Sequence, residues 1–147
     1  MRISAKTEYA CIAMIDLAAA YGSGAPVGIR KIAERHGVPP RFLVQILLQL
    51  KGAGFVSSTR GAAGGYNMIV EPTSINLGQV MDIIDGNIST GKWECNASDD
   101  SPAVKALVKN WTEAEKCKRQ ILDDLTFADL LRQTKRIDKT KMYTKKK

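Results

Sequence analysis

Between residues 29 and 70 the apolar positions read as two helices followed by two strand candidates within one continuous stretch. Residues 29–36 place Ile29, Ile32 and Ala33 on one side and Arg30, Lys31, Glu34 and Arg35 on the other, the pattern of a short amphipathic helix. Gly37 ends it. Pro39 and Pro40 then open a second helix, because proline is tolerated in a first turn and breaks any later one. That helix carries Leu43, Ile46, Leu47 and Leu50 at i, i+3, i+4 and i+7, a stripe that buries one face. Gly52 and Gly54 stop it, and two strand candidates follow at 55–59 and 66–70, joined by Arg60, Gly61, Ala62, Ala63, Gly64 and Gly65.

The rest of the chain is read by the same rule. Ser4 caps a first helix over 5–20 that is apolar on nearly every side after Glu8, with Asp16 as the main interruption, so more than one partner must bury it. A plain loop covers 21–26. Asn76 and Gln79 form a capping box before a helix with Leu77, Val80, Met81 and Ile84 on one face, ended at Asp85 and Gly86. Residues 87–100 are polar, poorly patterned and contain Cys95, which reads as a loop. Ser101 and Pro102 then open a long helix. Its apolar positions Val104, Leu107, Trp111, Ala114, Ile121 and Leu125 recur three and four apart, with Lys118 as the one break. Such a seam needs a partner, and the simplest partner is its copy in a second chain. Thr126 with Asp129 caps a last short helix holding Phe127, Leu130 and Leu131.

The expected class is therefore mainly α with a small β wing. Helix, tight turn, helix and glycine-tipped hairpin are the parts of a winged helix-turn-helix, whose second helix enters the DNA major groove. The expected layout is a DNA-binding domain at 1–86, a sensor-type loop at 87–100, a dimerisation helix with a short terminal helix at 101–134, and a basic disordered tail at 135–147.

Charge changes this picture only at one end. The tail holds seven Lys or Arg against Asp138, a net +6 of the chain's +7, so the body is close to neutral. Such a tail is either a solvated extension or a source of sequence-independent phosphate contacts that weaken with salt. No apolar run reaches the length of a membrane span, and Met1 and Arg2 lead straight into an amphipathic pattern rather than a secretory signal, so a cytoplasmic protein is expected. The three cysteines, Cys11, Cys95 and Cys117, form neither a disulfide framework nor a CxxC zinc site. Cys11, within an apolar helix, reads as a small buried hydrophobe. The single histidine, His36, ends a helix, where a dipole partner is a commoner role than a catalyst. No Walker loop, HExxH or hydrolytic carboxylate arrangement occurs, and no enzyme is expected.

On the second helix the outward positions are Arg41, Val44, Gln45, Leu48 and Gln49. Arg pairs bidentately with guanine and Gln with adenine. An arginine beside a flexible wing tip, here Arg60, suits the narrow minor groove of A·T-rich DNA. The candidate DNA-contacting set is Arg30, Lys31, Pro40, Arg41, Val44, Gln45, Gln49, Arg60, Gly61, Gly64 and Gly65. The competing class is a winged-helix module that binds protein instead of DNA.

The segment IAERHGVPPRFLVQILLQLKGAGFVSSTRGAAGGY, together with MRISAKTEYA, INLGQVMDIIDG and LTFADLL, resembles the Rrf2 family of bacterial winged-helix transcription regulators over nearly the whole chain. The resemblance implies a homodimeric DNA-binding regulator, a repressor, with Arg41, Val44 and Gln45 toward the major groove and Arg60 in the minor groove. Many relatives carry Glu where this chain has Val44, and Val cannot accept a hydrogen bond from cytosine. Their wing tip usually reads Arg-Gly-Pro-Gly-Gly-Gly-Tyr, so this chain lacks the Pro and one Gly but keeps Arg60. Tyr66 is expected to pack rather than stack on bases.

Cluster-binding relatives place three cysteines a few residues apart before the dimerisation helix, because thiolates are the soft anionic ligands that hold iron–sulfur irons. This chain keeps only Cys95 there, followed by Asn96, Ala97, Ser98, Asp99 and Asp100. No cofactor is therefore expected; the alternative is an iron–sulfur cluster on Glu8, Cys95 and Cys117 gathered across a dimer, with Glu8 otherwise a first-turn acid that suits the helix dipole. Two routes remain for a signal. One is thiol sensing at Cys95, which Lys92 activates and Glu94 opposes, and the other is an effector protein or small ligand.

Overall fold

The computed structural model describes residues 3–86 and 101–144, with side chains through 138. The loop expected at 87–100, with Cys95, lies outside the described residues. Six helices and one two-stranded antiparallel sheet are described: α1 (Ala5–Ala19), α2 (Ile29–His36), α3 (Pro40–Gly52), β1 (Val56–Thr59), β2 (Gly65–Met68), α4 (Leu77–Asp85), α5 (Pro102–Asp124) and α6 (Phe127–Thr144). A short 3-10 turn at Pro72–Ser74 precedes α4.

The ends of these helices follow from side-chain chemistry. Ser4 Oγ accepts the Thr7 backbone N–H at 3.0 Å and starts α1. Asn76 and Gln79 close a reciprocal capping box on α4 at 2.8 and 2.9 Å. At α6 the Thr126 hydroxyl accepts the Asp129 N–H at 3.2 Å, while Asp129 accepts the Thr126 N–H at 3.1 Å. Each pair satisfies donors that a helix start would otherwise leave open. Ser101 stands at the N-cap of α5 without a side-chain cap bond, with Pro102 in the first turn.

One apolar core joins nearly all of these elements. Ala10, Ala13, Met14 and Leu17 of α1 meet Ile32 of α2, the Leu43, Ile46, Leu47 and Leu50 stripe of α3, Val56 and Met68 of the sheet, and Val80 of α4. Phe127, fully buried, brings α6 into that same core. Its N–H donates to the Ile75 carbonyl at 2.9 Å, and the Leu77 N–H donates to the Leu125 carbonyl at 3.0 Å, so the entry to α4 and the α5–α6 junction are stitched together. Side chains of this size are each worth about 1.5–3 kcal/mol when buried.

Two expectations are corrected here. The terminal helix is not short: α6 spans 18 residues and continues to Thr144, where a disordered tail had been expected from residue 135. Lys, Arg and Met are good helix formers, and cations near a helix carboxyl end are favoured by its dipole, so the basic composition extends α6 instead of ending it. Lys145, Lys146 and Lys147 lie outside the described residues. The strands are also shorter than the expected 55–59 and 66–70, with Phe55 and Ile69 joined only by one further bond, from the Ile69 N–H to the Phe55 carbonyl at 3.1 Å.

Candidate nucleic-acid interface

The turn between α2 and α3 is built from three residues. Gly37 adopts φ +65°, a left-handed conformation that glycine takes at least cost, and ends α2. Val38 is buried beneath the turn, its N–H donating to the Ala33 carbonyl at 3.2 Å. Pro39 sits at the N-cap of α3 and Pro40 at its first position, so the missing proline N–H groups cost nothing there.

With Leu43, Ile46, Leu47 and Leu50 fully buried, α3 has only one orientation open to it, and its other face must point to solvent. That face carries Pro40, Arg41, Val44, Gln45, Leu48 and Gln49, all exposed. The Arg41 guanidinium lies 5.0 Å from the centroid of the Phe42 ring, and Phe42 packs against Tyr9 of α1 at 5.9 Å. A cation over an aromatic face is attracted to it, which braces Arg41 at the amino end of the helix. On α2, Lys31 is exposed and Arg30 pairs with Glu34 one turn on at 3.1 Å, an exposed pair that exchanges readily with other partners.

The wing is pinned at both ends. Val56 pairs with Met68 and Thr59 with Gly65. Beyond Thr59 stand Arg60, exposed, and a turn closed by the Gly64 N–H to the Gly61 carbonyl at 3.0 Å. Gly61 takes φ +110°, and a Cβ on Gly64 would fall onto the Thr59 carbonyl oxygen. A Cβ on Gly65 would come within 2.5 Å of the Val27 carbonyl oxygen, because Tyr66 exchanges two hydrogen bonds with Val27, at 2.8 and 2.9 Å. The hairpin is thus paired to the segment that leads into α2. Tyr66 packs against the core, in keeping with a structural role. Lys51, at the end of α3, donates to Ser58 Oγ on β1 at 2.6 Å and ties the wing to the helix. Neither Lys51 nor the Val27–Tyr66 bridge was foreseen, since both depend on a register that only the folded hairpin defines.

Asp16, the interruption in the apolar α1, is another residue the sequence did not assign. It is 7 % exposed, and its Oδ1 accepts from Arg35 Nη1 at 2.9 Å and lies 3.1 Å from His36 Nε2. His36 therefore meets a buried carboxylate as well as the end of the α2 dipole. The only available signal was the oddity itself: an acid inside an apolar helix requires a cation, and α2 ends in two candidates.

The remaining assigned residues lie elsewhere. Glu8 is exposed in the first turn of α1, and Cys117 is exposed on α5. Cys95, the third donor considered from the sequence, lies outside the described residues, and among the described residues no three His, Cys, Asp or Glu side chains form a group that could hold a metal. Cys11 is half-buried against the core, and burial, with the Asp85 carboxylate adding to it, pushes its thiol up to about 11. On α5 none of the residues is buried: Leu107, Trp111, Ala114 and Ile121 are exposed and Val104 is half-buried, as is Leu125 just past the end of the helix. Lys118, the break in that seam, pairs with Glu115. Arg119 anchors α5 to α4 by donating to Asp82 at 2.9 Å, and is held within α5 by donating to Asp123 at 2.8 Å. No helix among the described residues is long and apolar enough to cross a membrane.

Comparison with known proteins agrees with this arrangement. The HTH-type transcriptional regulator CymR of Bacillus subtilis is 34% identical over 130 residues, covering 88% of this chain and 89% of that protein. The HTH-type transcriptional regulator IscR of Vibrio atlanticus is 30% identical over 133 residues, covering 90% of this chain and 76% of that protein. The solved structure of CymR, the global cysteine regulator of B. subtilis, superposes with a TM-score of 0.75 at 29% identity over 89% of this chain and 96% of that one. The Rrf2 family, described as iron-dependent transcriptional regulators, matches residues 3–133. With the helix-turn-helix and its wing in place, the chain belongs to the Rrf2 family and is a DNA-binding transcriptional regulator, not an enzyme.

Proposed function

We propose that this regulator acts in the cytoplasm as a homodimeric repressor on a pseudo-palindromic operator, with Arg41, Val44, Gln45 and Gln49 at base edges, Arg30, Lys31 and Pro40 beside the backbone, and Arg60 with Gly61, Gly64 and Gly65 at the minor groove. The observation that carries the reading is the division of α3, with four fully buried leucine or isoleucine residues on one face and an uncovered row of Arg, Val and Gln on the other. The exposed Leu107, Trp111 and Ile121 on the 23-residue α5 support pairing with a second copy, since a helix with that seam gains most by burying it against its equal. Twofold symmetry then sets half-sites about one helical turn, or a small multiple of it, apart.

The test is fluorescence anisotropy on duplexes enriched from random DNA, repeated across a salt series. Binding that falls steeply with added salt supports the DNA reader, because displaced counterions dominate such affinity. No binding even at low salt would instead favour a protein-interaction module.

For the signal, the family description favours iron as a second reading, yet Glu8 and Cys117 supply only two of the three donors and no metal group forms among the described residues. An absorption spectrum with iron and sulfide assays on protein purified without oxygen separates the two routes. Visible bands with near-stoichiometric iron would assign Glu8, Cys95 and Cys117 as ligands to mutate. A colourless dimer that still binds its operator would leave thiol chemistry at Cys95 or an effector.

A further inference from the structure

Two large apolar side chains stand on the solvent face of α3, where every neighbour on that face is polar or charged apart from Pro40. Val44 is 42% exposed and Leu48 is 55% exposed. They are four residues apart, one helical turn, and so form a short apolar strip about 6 Å long. Arg41 and Gln45 lie beside Val44, and Gln49 lies beside Leu48. Among the described residues no packing explains the strip, since the core face of α3 is already filled by Leu43, Ile46, Leu47 and Leu50.

Around the strip the chemistry suits a duplex. Arg41, Lys51 and Arg60 are exposed on α3 and beside the wing, as is Lys31 on α2, and the first turn of α3 carries no acid. Cations around a row of base-reading side chains complement a phosphate-lined groove. Within that groove, base edges present hydrogen-bond donors and acceptors with one exception, the C5-methyl group of thymine. An apolar side chain gains nothing from the donors and acceptors, and strips water from them without replacing the bond. The methyl group is the feature it complements.

Resting on the DNA-reader assignment above, we propose that Val44 is a specificity-determining residue that packs on a thymine methyl group in each operator half-site, with Leu48 shielding that contact from water. Arg41 and Gln45 then read neighbouring base edges by hydrogen bonds, and Val44 reads by shape and apolarity alone. A cytosine at the same place lacks the methyl and presents an amino group that Val44 leaves unpaired.

The experiment removes one methyl at a time. Duplexes selected by the full chain from random DNA are remade with single thymine-to-uracil changes, and affinity is measured by anisotropy. At one symmetry-related position the change should weaken binding about fourfold per half-site, the loss of roughly one buried methyl, and about sixteenfold when both half-sites carry uracil. Val44→Ala, an exposed change that leaves the core intact, should bind the thymine and uracil duplexes equally, whereas Gln49→Ala should keep the discrimination. The proposal is overturned if every uracil duplex binds within twofold of the parent, or if the uracil penalty persists undiminished in Val44→Ala. A chain that selects no sequence at all overturns the operator reading and this one together, which distinguishes that failure from a selected operator indifferent to its methyl groups.

Discussion

Arg35 closes α2 onto α1 by donating a 2.9 Å hydrogen bond to the buried Asp16, and Asp16 is the only described residue of α1 between Glu8 and Ala20 with an ionisable carboxylate. His36 Nε2 stands 3.1 Å from the same oxygen. The other carboxylate oxygen, Oδ2, is buried with no hydrogen-bond partner among the described residues. One charged group thus fixes how the helix-turn-helix leans on the core. Asp16→Ala should destabilise the fold by about 1–3 kcal/mol, while Arg35→Ala, whose side chain is nearly half exposed, should cost about 1 kcal/mol or less. Urea unfolding of the three proteins measures both. Equal midpoints would show that the contact adds nothing to stability.

The wing makes a sharper steric claim. Gly65 has the Val27 carbonyl where a Cβ would sit, whereas Gly52, at the end of α3, has nothing within 4 Å. Gly65→Ala must either break the Val27–Tyr66 pairing or push the hairpin outward, at a cost of about 1–3 kcal/mol and with weaker operator binding. Gly52→Ala should stabilise by roughly 0.4–1 kcal/mol, because it restricts the unfolded chain and strains nothing. Thermal melts of the pair should move in opposite directions, and a neutral Gly65→Ala would remove the steric account of the wing.

Thiol reactivity separates Cys11 from Cys117. With its thiol pushed up to about 11, Cys11 is almost entirely protonated at pH 8, while Cys117 is exposed on α5. In a Cys95→Ser background, a thiol-specific reagent at pH 8 should label Cys117 quickly and Cys11 slower by at least an order of magnitude, since the thiolate is the attacking species. Mass spectrometry of the labelled peptides gives the order. A thiol raised from 9.0 to about 11 contributes stability that is full below pH 9 and lost as pH rises through 11. Equal labelling of the two sites would mean that burial does not protect Cys11.

Much of this fold was legible because its signals are local. The Ser4, Asn76–Gln79 and Thr126–Asp129 caps, the proline pair before α3 and the left-handed Gly37 each act within a few residues, and each is found where the sequence placed it. What escaped depends on distant partners. Asp16 and Arg35 are 19 positions apart, Arg119 and Asp82 are 37 apart, and the Val27–Tyr66 bridge needs the hairpin register. At the basic end charge alone points to disorder, whereas the same Lys and Arg residues are good helix formers once Phe127 anchors α6 in the core. For the candidate site, the exposed face of α3 was legible from the 3.6-residue period, but the brace of Arg41 on Phe42 and the tie from Lys51 to Ser58 were not.

Arg60 carries the remaining prediction. It stands exposed between β1 and the glycine turn, and the wing that presents it is held by pairing to Val27 and by Lys51. An arginine so placed gains most from a narrow A·T-rich minor groove, where the potential is most negative. Arg60→Ala should therefore weaken binding to an A·T-flanked operator about tenfold or more, and weaken binding to a G·C-flanked one much less. Its elution volume and thermal midpoint should match those of the parent, because the side chain is exposed and supports no described core contact. Anisotropy titrations on the two duplexes, with size-exclusion chromatography alongside, decide the matter: equal losses on both duplexes would assign Arg60 to phosphates, and no loss on either would remove the wing from the interface.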